Sequence, residues 1–160
     1  MKDLLRHLTS LILPVTVIVI IPWLIEPSLT ISSGWWFAGG LIFILIGVMI
    51  IILTIRMFIR IGNGTLAPWD PTRNLVTQSL YGHVRNPMIL GVLTVLIGEA
   101  ILFRSAAITY WTLLFFLINH IYFIISEEPG LEERFGKEYA EYKENVPRWI
   151  PRIKPWRPGQ

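Results

Sequence analysis

Leu75-Val-Thr-Gln-Ser-Leu-Tyr81-Gly-His-Val-Arg85-Asn86-Pro87-Met-Ile-Leu-Gly91 is the stretch that decides the fold. Two long apolar runs precede it and two come after it. Within it, a polar segment carrying Arg85 and Asn86 turns at Pro87 into an apolar one. Proline suits the first turn of a helix, where its missing N–H removes no hydrogen bond. The stretch therefore reads as a loop that enters a membrane helix.

Composition sets the same frame. The 160 residues are 53% hydrophobic, with a mean hydropathy of +0.56, too apolar for an ordinary soluble domain. Only 16% are charged, and these charges gather at the start, the middle and the tail. One membrane domain over residues 1–160 is expected, with two spans in 1–60 and the loop, hairpin and tail in 61–160. A net charge of +3 raises the question of nucleic acid. The basic residues flank apolar runs, however, as membrane orientation requires, and no nucleic-acid partner is expected. Cysteine is absent, which excludes disulfides and thiolate chemistry. His7, His83 and His120 are far apart, and no metal site is expected.

Leu8 to Ile25 comes after a basic start and reads as a first span, made irregular by Pro14 and Pro22. A secretory signal has the same outline, but no small-residue cleavage site is found after it. Trp35 to Ile55 is long enough to cross a bilayer. It opens on Trp35 and Trp36 at interface depth and closes on Arg56 and Arg60. Gly39, Gly40 and Gly47 leave room for a close helix contact, without GxxxG spacing. Residues 61–86 form the longest polar connection. Met88 to Phe103 is a short third span that contains Glu99. After a tight turn at Arg104, Ile108 to Ile125 is the fourth span, paired with the third as a helical hairpin.

Lysine and arginine number two before the first span, none after it, four between spans two and three, one at the hairpin turn and seven in the tail. With four spans, every basic segment but the lone Arg104 falls on one side. The positive-inside rule then places both termini and the central loop in the cytoplasm. The expected fold is an all-α integral, multi-pass membrane protein of about four transmembrane helices. Leu131, Phe135, Tyr139, Tyr142 and Val146 continue it as one face of an amphipathic C-terminal helix that ends at Pro147. Such a helix either lies on the membrane surface or packs over the central loop.

Several residues can carry chemistry. Acids at a helix C-terminus oppose the macrodipole, so Glu127 and Glu128 need a partner or are a solvated pair. His120 shares a helical stripe with the pair and could face the same cavity; the plainer reading is a satisfied core histidine. Arg85 is either a headgroup anchor or, beside the free N–H groups at the start of a helix, part of an anion site. Gly62-Asn63-Gly64 is a weak turn signal by itself. Glu99 lies inside a span, where an acid is functional by default, or it snorkels beside Arg104.

Taken in order, Leu75-Val76-Thr77, Tyr81, Arg85-Asn86-Pro87, Glu127-Glu128, Phe135-Gly136-Lys-Glu-Tyr139-Ala-Glu-Tyr142 and Val146-Pro147-Arg148 resemble the isoprenylcysteine carboxyl methyltransferase family. The related phospholipid N-methyltransferases are similar over the same region. The resemblance implies an S-adenosylmethionine-dependent methyltransferase with its cofactor at the cytoplasmic membrane face. It implies cofactor contacts from Gly62, Gly64, Leu75, Val76, Tyr81, Asn86, Pro87, Met88, Glu127 and Glu128; the catalytic candidates beside them are Arg85, to orient an anionic group, and His120, to assist proton removal from an amine acceptor. The acceptor it implies is lipophilic, a prenylcysteine-like carboxylate or a phospholipid amine. The family often has His at the position of Asn86 and Tyr at that of Ile89. The alternative is a membrane scaffold that keeps the fold without the chemistry.

Overall fold

The computed structural model describes residues 12–57, 60–61 and 74–158. Among these residues there is no strand. Four apolar helices account for the hydrophobic runs: α1 (Ile12–Ile25), α2 (Trp35–Met57), α3 (Pro87–Phe103) and α4 (Ala106–Phe135). Two of them, α2 and α4, are long and apolar enough to cross a membrane, while α1 and α3 are shorter. A separate helix, α5, covers Lys137–Asn145.

The irregularity expected of α1 is a π turn at Thr16–Ile20. The Ile21 N–H bonds to the Thr16 carbonyl five residues back, so the Val17 carbonyl is free to accept from the Trp111 indole at 3.1 Å. A local defect in α1 thus becomes a tether to α4. All four apolar helices contribute to one core. Ile51, Val92, Val95 and Leu96 are buried at its centre, with Val17, Ile18, Ile55, Trp111 and Phe115 packed around them.

The contact between α2 and α3 runs through glycine. A Cβ on Gly40 would come within 2.8 Å of the Gly98 carbonyl, and a Cβ on Gly47 within 2.7 Å of the Gly91 carbonyl. The two pairs run in opposite order along the helices, so α2 and α3 are antiparallel. Both glycine sets are seven apart, about two turns, which places both crossings on one face. Small residues let backbones approach in this way. Gly40 and Gly47 meet the expectation of a close contact, whereas Gly39 sees only Ile101 at 3.9 Å.

Pro87 opens α3 at its first position, as the sequence indicates. At the other end Arg104 adopts a left-handed backbone (φ 49°). Its N–H bonds to the Ile101 carbonyl and the Ser105 N–H to the Ala100 carbonyl, the paired bonds of a Schellman cap. Ser105 then caps α4, accepting from the Ile108 N–H at 3.1 Å.

The tail corrects one expectation. The apolar stripe from Leu131 to Val146 is not a single helix, because the chain breaks at Gly136 (φ 52°) between α4 and α5. Glycine adopts this conformation without the steric penalty a Cβ brings. The stripe survives the break: Tyr139, Tyr142, Val146 and Trp156 form a second buried cluster, against which Leu75, Leu131 and Phe135 pack. Of the two positions open to the amphipathic stripe, packing over the central loop is the one observed.

Candidate functional site

Residues 75–88 are held between α4 and the tail. The Arg85 N–H donates to the Pro147 carbonyl, the Arg152 N–H to the His83 carbonyl and the Trp156 N–H to the Gly82 carbonyl, at 2.9, 2.9 and 2.8 Å. The Tyr142 hydroxyl donates to the Tyr81 carbonyl at 2.8 Å. The tail runs so close at Gly82 that a Cβ there would sit 2.9 Å from the Trp156 carbonyl. Backbone donors and acceptors that would otherwise be orphaned in this loop are therefore paired.

At the centre is Glu128, only 4% exposed. Arg85 donates Nη1 to its Oε1 at 2.8 Å. Arg148 donates Nε to Oε1 at 2.6 Å and Nη2 to Oε2 at 2.9 Å. The Lys143 ammonium is 3.9 Å away. Burial alone raises the Glu128 carboxyl, but the Arg148 hydrogen bond and the charges of Arg85, Arg148 and Lys143 outweigh it and hold the group below its ordinary range. Burial pushes the Tyr139 hydroxyl up to about 12, against the opposing pull of Arg85 beside it. The Nε of Arg85 is buried with no hydrogen-bond partner.

The two glutamates differ because of a π turn over Phe123–Glu127, in which the Glu128 N–H bonds to the Phe123 carbonyl. Pro129 comes next and has no N–H to offer. The extra residue in the turn rotates the remainder of the helix by about 100° relative to an unbroken α-helix. Glu128 points into the cation cluster, and Glu127 is left half-buried. Burial raises the Glu127 carboxyl, against a hydrogen bond with Tyr122 and the charge of Arg134.

The partner of His120 is a second correction. His120 does not pair with either acid. Its Nδ1 accepts from the Trp149 indole N–H at 2.9 Å, and its ring stacks on Phe116 with centroids 5.8 Å apart. With Nδ1 accepting, the neutral imidazole carries its proton on Nε2. Trp149 is next to Arg148 in the chain, so adjacent tail residues grip His120 and Glu128 two turns apart on α4.

Of the other residues singled out, Val76, Tyr81 and Pro87 are buried and Leu75, Asn86 and Met88 are half-buried. Asn86 makes no side-chain cap to α3. Gly62 and Gly64 lie outside the described residues. Glu99 makes no ion pair with Arg104, whose guanidinium lies over the Trp36 ring at 5.3 Å; the Glu99 Oε2 is buried without a partner. Sequence reasoning did not single out Arg148, Lys143 or Trp149 as site residues. Their signal was the basic-aromatic run after Val146, which is uninformative until the tail is folded back. Among the described residues, no group of three or more His, Cys, Asp or Glu side chains is placed to hold a metal ion.

The phospholipid methyltransferase family model matches residues 35–138. The chain is 35% identical over 80 residues to methanethiol S-methyltransferase 2 of Bradyrhizobium diazoefficiens, covering 48% of this chain and 29% of that one. It is 35% identical over 82 residues to protein-S-isoprenylcysteine O-methyltransferase of Schizosaccharomyces pombe, covering 49% and 34%. To the methanethiol S-methyltransferase of Pseudomonas deceptionensis it is 28% identical over 140 residues, covering 82% and 50%. The chain thus spans at most half the length of these curated relatives. No solved structure matches it. The family match takes in the α2–α3 glycine crossing, the start of α3 at Pro87 and the Glu127-Glu128 pair, and by it the chain belongs to the phospholipid methyltransferase family.

Proposed function

We propose that the protein is an S-adenosylmethionine-dependent methyltransferase that modifies a lipophilic acceptor at the cytoplasmic face of a four-span membrane domain. The observation that carries this reading is the buried assembly of Arg85, Glu128 and Arg148, which ties the start of α3 to the end of α4 and to the tail. A buried carboxylate that gathers three cations is a costly arrangement unless it positions something.

The residues present fit the cofactor by their chemistry. The buried, unpartnered Arg85 Nε is a donor that wants an anionic oxygen, which suits the carboxylate of the amino-acid moiety. Glu127 supplies a half-buried carboxylate for the ammonium or the ribose diol, and Tyr81 and Tyr139 supply aromatic walls. Leu75, Val76, Asn86, Pro87 and Met88 border the same region, and the first-turn N–H groups of α3 beside them favour negative charge. Gly62 and Gly64, outside the described residues, would complete the set. Glu128, with its oxygens already taken, acts by fixing Arg85.

When bound, the cofactor supplies a methyl group on a sulfonium, already activated towards a nucleophile. The protein's part is then positioning and exclusion of water. Arg85, Arg148 and Lys143 outnumber Glu128 and favour an anionic acceptor such as a prenylcysteine-like carboxylate, which needs no base. For an amine acceptor, His120 with its proton on Nε2 is a donor, and the Glu127 carboxylate is the available proton acceptor.

The cytoplasmic placement is supported by the distribution of Lys and Arg, and the four spans by the single core shared by α1 to α4. Titration of the purified, lipid-supplied protein with S-adenosylmethionine, and then transfer of labelled methyl into a lipid extract and into prenylcysteine analogues, tests the reading. Saturable binding that weakens at least tenfold in Arg85→Gln and Glu127→Gln is expected. A folded protein that binds no cofactor would be the scaffold instead.

A further inference from the structure

We propose a second ligand site at the opposite end of the α3–α4 hairpin: a binding crevice for one zwitterionic phospholipid, held as a fixed component of the fold and not as the methyl acceptor. A cavity of about 650 Å³ opens between α3 and α4, with walls that include Leu93, Ile97, Thr112 and Phe116 and a mouth formed by Trp36 and Arg104. From Leu90 to Arg104 its α3 wall measures roughly 21 Å. That exceeds the roughly 15 Å of one leaflet's hydrocarbon, so it accommodates an extended acyl chain.

The mouth specifies the headgroup. Arg104 precedes Ser105 in the chain, and Glu26 is hydrogen-bonded to Ser105: Glu26 accepts from the Ser105 hydroxyl at 2.7 Å through Oε2 and from Ser28 at 2.9 Å through Oε1. Glu26 is therefore fixed beside the hairpin turn. Yet the two opposite charges form no ion pair with each other, and among the described residues Arg104 has no carboxylate partner. Its exposed guanidinium rests on Trp36. A cation at the mouth of an apolar slot, with an unpaired anion hydrogen-bonded to Ser105 of its lining, complements a phosphate and an ammonium on one headgroup. Trp36 sits where aromatic rings meet lipid headgroups.

The backbone supplies a second, independent observation. Arg104 occupies the left-handed cap position, usually given to Gly. A side chain there is strained, and nothing in the cap itself uses the guanidinium. The residue is understandable if the charge is needed at that point. The mouth is roughly 27 Å along α3 from Asn86, too far for a headgroup held there to reach the Arg85–Glu128 end.

The test uses the intact protein purified in mild detergent, with phosphatidylethanolamine, phosphatidylcholine and phosphatidylglycerol added separately. Bound lipid is counted by native mass spectrometry. One phosphatidylethanolamine or phosphatidylcholine per chain, retained at least tenfold better than phosphatidylglycerol, is expected. Glu26→Gln should erase that preference, and Ile97→Trp, which fills the slot from its lipid-facing side, should abolish retention. Arg104→Gly separates ligand loss from misfolding: it relieves the strained cap, so the protein should melt no lower in detergent alone, while lipid retention is lost. Equal retention of all three lipids, or undiminished retention in Arg104→Gly or Ile97→Trp, overturns the proposal. Labelled methyl appearing on the retained lipid would overturn the distinction from the acceptor.

Discussion

Arg148 holds Glu128 by two hydrogen bonds from one guanidinium, at 2.6 and 2.9 Å, across twenty residues of sequence. Both oxygens of the carboxylate are used, so its orientation is fixed, and with it that of Arg85 on the other side. Charged hydrogen bonds of this kind each contribute about 1.5–3 kcal/mol when partly buried. Arg148→Ala removes two of them but leaves Arg85 in place, so a loss of about 3 kcal/mol is expected by thermal unfolding in detergent. Arg148→Lys should recover less than half of it, because an ammonium cannot reproduce the paired geometry. Cofactor affinity should fall alongside stability in Arg148→Ala if Arg85 is positioned through Glu128. Unchanged affinity in a destabilised protein would leave the cluster a purely structural clasp.

The same carboxylate sets a pH dependence. Its three cations hold Glu128 below the ordinary carboxylate range in the folded protein, so the unfolded chain takes up a proton first as the solution is acidified. The stabilisation is complete above the ordinary glutamate value of about 4.3 and is lost as pH falls through the lower, folded value. Unfolding midpoints measured from pH 7 down to pH 3 should drop steeply in the acid part of that range. Glu128→Gln should start lower and flatten that part of the curve. A parallel drop in both proteins would assign the acid sensitivity to other groups.

How much of this was legible depends on whether the cause is local. The start of α3 was, because Pro87 carries its own signal at the first helical position, and so was the irregularity of α1 with its two prolines. The amphipathic stripe after Leu131 was legible as a stripe but not as two helices, since a glycine in a charged helix does not reveal its φ. Arg148 was not legible as Glu128's partner. Nothing in Val146-Pro147-Arg148 indicates that the tail turns back, and the contact depends on the backbone ladder to Gly82, His83 and Arg85. The π turn before Glu128 was hidden for the opposite reason: Ile124, Ile125 and Ser126 fit an α-helix equally well, so which of the two acids shares a face with His120 was not legible.

Trp149 and His120 give a spectroscopic prediction. Because the indole N–H occupies Nδ1, neutral His120 should show the Nε2–H tautomer in nitrogen NMR of selectively labelled protein. Trp149→Phe keeps a ring among Phe116, Phe123 and His120 but removes the donor. The tautomer should then become mixed, with less than about 1.5 kcal/mol lost from stability, the scale of one hydrogen bond. A wild-type Nδ1–H signal would mean that His120 faces the site with its other nitrogen and is free to act as a base there.

Gly39 and Gly40 are neighbours with opposite expectations. A Cβ on Gly39 finds only Ile101, at 3.9 Å, an ordinary contact. Alanine there should be neutral or slightly stabilising, because glycine inside a helix costs roughly 0.5–1 kcal/mol relative to alanine. A Cβ on Gly40 would meet the Leu102 Cβ at 2.7 Å and the Gly98 carbonyl at 2.8 Å, both on the rigid face of α3. The helices would have to separate along their length, which also loosens the Gly47–Gly91 crossing two turns away. Overpacking of this kind costs about 1–3 kcal/mol, and Gly40→Ala should unfold earlier than Gly39→Ala by that amount. Reconstituted protein with Gly40→Ala should also lose cofactor affinity, since α3 carries Arg85, Asn86 and Pro87 at its start. Equal stability of the two variants would mean that α2 and α3 are not in backbone contact, and the start of α3 would then need another support.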